Sequence, residues 1–104
     1  MMNKKKIVLV DSVIVQKVGL DATNMDGEIV MMDIDRGKYY CFNEVGSRIW
    51  ELIEKQILVG ELVTMLLNEF EVDDKICEDA VLNFLNGIYK EELITVVKKY
   101  SQAI

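Results

Sequence analysis

Two cysteines, three serines and one dense run of acids are the residues of this sequence whose types could do chemistry. A serine or thiol nucleophile needs a base within reach, and the chain has no histidine to supply one. Ser12, Ser47 and Ser101 have no recognisable nucleophile elbow around them. Cys41 and Cys77 are far apart and neither has a CxxC partner, so a zinc site would have to combine two thiolates with carboxylates, a poor ligand set. A reducing compartment would keep both as thiols. The acids Glu71, Asp73, Asp74, Glu78 and Asp79 gather where a helix is expected to begin, and there they oppose the positive end of its dipole. A calcium loop would need alternating oxygens around a central glycine, which this run lacks. The glycines are scattered and form no phosphate loop. The sequence therefore predicts no catalysis, no metal and no cofactor.

Charge narrows the partners. The net charge of −6 is the wrong sign for a protein that binds phosphates by releasing counterions. Lys4, Lys5 and Lys6 lead into the apolar residues 7–10, but Asp11 ends that run too early for a signal peptide, and no run reaches membrane-spanning length. The expectation is a cytoplasmic protein with neither a membrane nor a nucleic-acid partner. Its 104 residues suit a single domain over 1–104, with a core over about 12–95 and a loose terminus at 1–6.

The elements that must position any site follow from periodicity. Residues 12–18 are rich in β-branched side chains and predict a first strand. Residues 19–27 read as a turn-rich connection with Asn24, Asp26 and Gly27 as breakers. A second strand is predicted over 28–34. Val30, Met32 and Ile34 lie on one of its faces, with Ile29, Met31 and Asp33 on the other. Asp35, Arg36 and Gly37 make a hairpin into a third strand over 38–42. Asn43 is a good N-cap for a helix that reaches about Lys55. A second helix is predicted over about 60–70, and a third from Asp73 or Asp74 to about Lys90. A short extended piece follows at 93–97. Three antiparallel strands followed by three helices give an α+β fold of winged helix-turn-helix type.

The third helix is more apolar than docking on one core requires. Ile76, Cys77, Ala80, Val81, Phe84, Leu85, Ile88 and Tyr89 cover an arc of about 220°, against roughly 100° for an ordinary surface helix. Such a helix either touches something outside the chain or lies centrally between other elements. DNA recognition by a winged helix fits the layout but not the charge: Lys75 and Lys90 face Asp73, Asp74, Glu78, Asp79, Glu91 and Glu92. A subunit-packing role, with the apolar strand and helix covered by a second copy, stays open. So does peptide capture. In that case an extended peptide joins the edge of the strand Lys38, Tyr39, Tyr40, Cys41, Phe42, with the third helix as the far wall of a groove. The net charge favours peptides with some basic residues, and Lys38 on the edge opposes that preference.

The run VMMDIDRGKYYCFNEVGSRIW, then ELI, ELV and EFEVD, the pair Phe84-Leu85 and the closing Leu93-Ile94 resemble the PqqD-like proteins over about residues 26–95. These are named for pyrroloquinoline quinone biosynthesis and are also called RiPP recognition elements. Cys77-Glu78 and the YKEELI ending look most like free-standing members from lasso peptide biosynthesis. The resemblance implies a non-catalytic protein whose third strand accepts the leader segment of a ribosomal precursor peptide beside the third helix. It implies delivery to a separate leader peptidase, with a macrolactam cyclase acting on the released core. Carried onto this sequence, the leader-binding residues are Lys38, Tyr39, Tyr40, Cys41 and Phe42 with Cys77, Ala80, Val81, Phe84 and Leu85. Two departures stand out. Many relatives close the third helix with glycine where this chain has Glu92, so a different helix end is expected. Many also carry an acid where this chain has Ala80, with Asp79 one step earlier.

Overall fold

A computed structural model describes residues 7–99. The loose terminus expected at residues 1–6, and Ser101, lie outside the described residues. The elements run β1 (Ser12–Gln16), β2 (Asp21–Met25), β3 (Glu28–Asp33), β4 (Lys38–Cys41), α1 (Glu44–Leu52), β5 (Ile57–Leu58), α2 (Val59–Glu69), α3 (Asp74–Lys90) and β6 (Ile94–Lys99).

The described strands form two antiparallel three-stranded sheets, ordered β5-β1-β6 and β2-β3-β4. The fold is α+β, and the three expected strands are present as β1, β3 and β4, but they do not form one sheet and further strands join them. Residues 19–27 are not only a turn, because β2 lies within them. Asp26 and Gly27, both at positive φ (57° and 89°), are the two-residue hairpin between β2 and β3. All of β2 is exposed, so its composition carries no burial pattern, and only its pairing with β3 makes it a strand. The first expected strand stops at Gln16 and leaves the meander altogether. It pairs with β6 near the other end of the described chain, Gln16 opposite Ile94. The extended piece expected at 93–97 is the longer strand β6.

The core lies between the sheets and the helices. Ile14, Met31, Ile49, Leu62, Leu85 and Leu93 are fully or almost fully buried in it. Ser47 is also buried. Its Oγ accepts from the Ile29 amide at 2.8 Å and donates to the Phe42 carbonyl at 3.1 Å, which ties α1 to β3 and to the end of β4. Asn43 caps α1 by accepting from the Gly46 amide, and Asp73 caps α3 by accepting from the Lys75 and Ile76 amides.

The end of α3 departs from expectation in an informative way. Glu92 takes the left-handed conformation that glycine would take (φ 64°). Its amide donates to the Tyr89 carbonyl, and the Leu93 amide donates to that of Ile88. That is the same Schellman closure a glycine would make, with a side chain added. A non-glycine residue there costs about 1 kcal/mol.

Candidate functional site

β4 sits at the end of its sheet, hydrogen-bonded to β3 on one side. The Phe42 amide donates to the Ile29 carbonyl at 2.9 Å, so residues 29 and 42 face each other as a hydrogen-bonded pair. In an antiparallel ladder such pairs alternate with non-bonded ones, so Met31 opposite Tyr40 and Asp33 opposite Lys38 are of the same kind. Lys38 and Tyr40 therefore commit their backbone groups to β3. Tyr39 and Cys41 point theirs away from the sheet, toward the place a further strand would occupy about 4.8 Å away. The side chains of Tyr39 and Cys41 are exposed as well.

Where β4 ends, an apolar cleft begins. Phe42 is buried and meets the Phe84 ring edge to face, with centroids 5.3 Å apart. Phe84 and Asn43 border a cavity of about 360 Å³ between α1 and α3. Ile76, Ala80 and Phe84 line it from α3, Val45 and Gly46 from α1, and Phe70 and Val72 close one end. Gly46 eases the packing: a Cβ there would lie 3.0 Å from Cε1 of Phe84, so the missing side chain lets that ring rest on α1 where any other residue would push it back by a few tenths of an ångström. A wider hollow of about 900 Å³ lies against α3 and β6, with polar lining such as Lys17, Asn86 and Lys90. Its walls mix these polar groups with Ile7, Tyr89 and Ile94, whereas those of the cleft are almost wholly apolar.

The broad apolar arc of α3 is thus two rows with different fates. Cys77, Val81, Leu85 and Ile88 are buried. Ile76 and Ala80 are exposed and Phe84 is half-buried beside the cleft. Of the residues expected on the helix wall, Ala80 and Phe84 present surface. Cys77 and Val81 reach the cleft from beneath it, and Leu85 is wholly in the core. The expected wall left out Ile76, although it lies on the same apolar arc, and the α1 residues Val45 and Gly46. The second wall of the cavity comes from α1 rather than from β4.

At its other end β4 is tied to the end of α3. The Tyr40 hydroxyl donates to Glu91 Oε1 at 3.0 Å, and Lys38 Nζ lies 3.6 Å from the same oxygen. Burial and then the hydrogen bond to Glu91 raise the Tyr40 phenol above its ordinary value. Both cysteines are free thiols, Cys41 exposed and Cys77 buried. Burial, followed by the charge of Asp74, pushes the Cys77 thiol up, away from the reactive thiolate.

The profile of the family described as coenzyme PQQ synthesis protein D (PqqD) matches residues 28–94. The chain belongs to the PqqD family. A solved structure of TbiB1 in complex with the TbiA(beta) leader peptide is similar to this PqqD-family chain, with a TM-score of 0.70 and 29% sequence identity. The match covers 77% of this chain and 93% of that one. No curated protein matches the chain.

In this PqqD-family chain a side-chain clamp joins α1 to α2. Arg48 of α1 donates from Nε and Nη2 to the two carboxylate oxygens of Glu69 at the end of α2, each at 2.8 Å. The guanidinium holds the Glu69 carboxyl below its ordinary value of 4.5. A depressed carboxylate stabilises the fold above its unfolded pKa, and that contribution is lost as pH falls through the folded value. The wild-type melting temperature should therefore fall more steeply than that of Glu69→Gln as pH drops below 4.5. Both partners are about a third exposed, so the difference should not exceed about 1 kcal/mol. Thermal melts of the two proteins across acid pH check it.

Proposed function

We propose that the protein is a non-catalytic recognition element for ribosomally made precursor peptides. The leader segment adds as a further strand along β4 while its side chains use the apolar cleft beside Phe84. The observation that carries this reading is the outward-facing backbone of Tyr39 and Cys41 on an unpaired edge that ends at an apolar cavity. Backbone hydrogen bonds supply affinity, and the cleft supplies the choice of side chain. Membership of the PqqD family, and likeness to a protein solved with a leader peptide, support the same class of ligand. The leader-binding set is Lys38, Tyr39, Tyr40, Cys41 and Phe42 with Cys77, Ala80, Val81 and Phe84, the buried members shaping the wall from below; Leu85, expected with them, lies wholly in the core and drops out of the set.

In this reading the whole chain, 1–104, is one cytoplasmic recognition domain of lasso peptide biosynthesis. It holds the precursor for a separate leader peptidase, and a macrolactam cyclase acts on the released core. The test is fluorescence polarisation of a labelled leader from the precursor encoded beside this gene. Saturation at about 1 μM or tighter is expected. A protein that stays folded yet shows no binding at about 100 μM overturns the reading. Cleavage of the precursor by the separately purified peptidase should also quicken when the protein is added.

A further inference from the structure

Helix α3 ends on two residues that local helix physics disfavours. Glu91, its C-cap, places a carboxylate at the negative end of the helix dipole. Glu92, next in the chain, holds a left-handed backbone with a side chain attached. Both reach the same target, the β3–β4 hairpin. Arg36, in the turn of that hairpin, donates from Nη1 to the Glu91 carbonyl at 2.7 Å and lies 3.6 Å from Glu92 Oε1. The Glu91 carboxylate takes the Tyr40 hydroxyl and faces the Lys38 ammonium. The carbonyl bond is open to any residue at 91, but the two carboxylates make separate contacts with the one hairpin, and two unfavourable choices at one place mark a position kept for something other than helix stability.

We propose that Glu91 and Glu92 are positioning residues that strap the β3–β4 hairpin to the end of α3 and set where the β4 edge stands for strand addition. The proposal rests on the reading of β4 as the leader-binding edge. At that end the hairpin is held by its buried Asp33, opposite Lys38 in the ladder, and by this strap. Its turn residues 34–37 are exposed, and the Phe42–Phe84 contact lies at the opposite end of β4. Tyr40 and Lys38 are therefore engaged by the strap and steady the edge from the α3 side, while Tyr39 and Cys41 face the incoming peptide.

The strap separates binding from stability, and the double variant Glu91→Ala/Glu92→Gly tests it. Removing a misplaced charge and a strained backbone should leave the melting temperature unchanged or higher. The same variant should bind the labelled leader about tenfold more weakly. Amide exchange at Lys38 and Tyr40 should quicken about tenfold, while exchange in α1 stays as in the wild type. Glu91→Gln, which keeps an acceptor for Tyr40, should hold leader affinity within about twofold of wild type. A double variant with wild-type affinity overturns the proposal. So does weakened binding with unchanged exchange, because Glu91 or Glu92 would then touch the leader directly. A wild-type protein that captures no leader overturns the proposed function instead, and the strap then stands or falls on the exchange rates.

Discussion

Phe84→Ala should weaken leader binding about thirtyfold, equivalent to about 2 kcal/mol, while the protein stays folded. Phe84 is half-buried and stands where two features meet: its ring touches Phe42 at the end of β4 and lines the cavity between α1 and α3. Truncation would widen that cavity and remove the wall against which a peptide side chain packs. The cost to the fold should be about 2 kcal/mol, the aromatic contact plus the apolar area that the half-buried ring covers. The neighbouring Leu85 gives the contrast. It is wholly buried and borders no part of the cleft, so Leu85→Ala should cost about 3 kcal/mol of stability and leave the affinity of the folded fraction unchanged. Polarisation titrations and thermal melts on both variants decide the matter. If Phe84→Ala loses only as much binding as its lowered folded fraction explains, the cleft is not the peptide site.

The difference between those adjacent residues marks the limit of what the sequence made legible. Helical spacing picked out Ile76, Ala80 and Phe84 together with Cys77, Val81 and Leu85 as one wide arc, because periodicity records only that a side chain is apolar. Which row enters the core depends on where α1 lies, and α1 comes close because Gly46 lacks a Cβ. Glycine inside a helix reads as a weak helix former, so the sequence offered no sign that it was a contact point. The edge strand was easier. Tyr39, Tyr40 and Cys41 between Gly37 and the cap residue Asn43 bound β4 within one residue of where it lies.

The sheets were hidden for a different reason. The segment DATNM of β2 buries nothing, so alternation could not reveal it. The pairing of β1 with β6 joins residues some eighty positions apart, and no local pattern encodes such a partner. At the end of α3, Glu92 was expected to change the closure because glycine is the residue that left-handed backbone favours. The chain keeps the closure and accepts the strain, and contacts made at a distance by Arg36 accompany that choice.

The second large effect should come from one backbone hydrogen. Cys41→Pro should reduce leader affinity tenfold or more, about 1.4 kcal/mol at least, with little change in the melting temperature. The ladder with β3 uses the backbone groups of Lys38, Tyr40 and Phe42, while the Cys41 amide faces the open side. Proline is tolerated on an edge strand when its missing N–H points to solvent, so the sheet should survive. The incoming strand, in contrast, loses a hydrogen-bond donor and meets the ring where its own backbone should lie. Tyr40→Pro sets the opposite sign: it removes a donor to β3 and should destabilise the hairpin itself. Binding and melting measured on the pair test the register directly. If Cys41→Pro binds the leader as well as the wild type, the peptide does not add to β4, whatever it does in the cleft beyond Phe84.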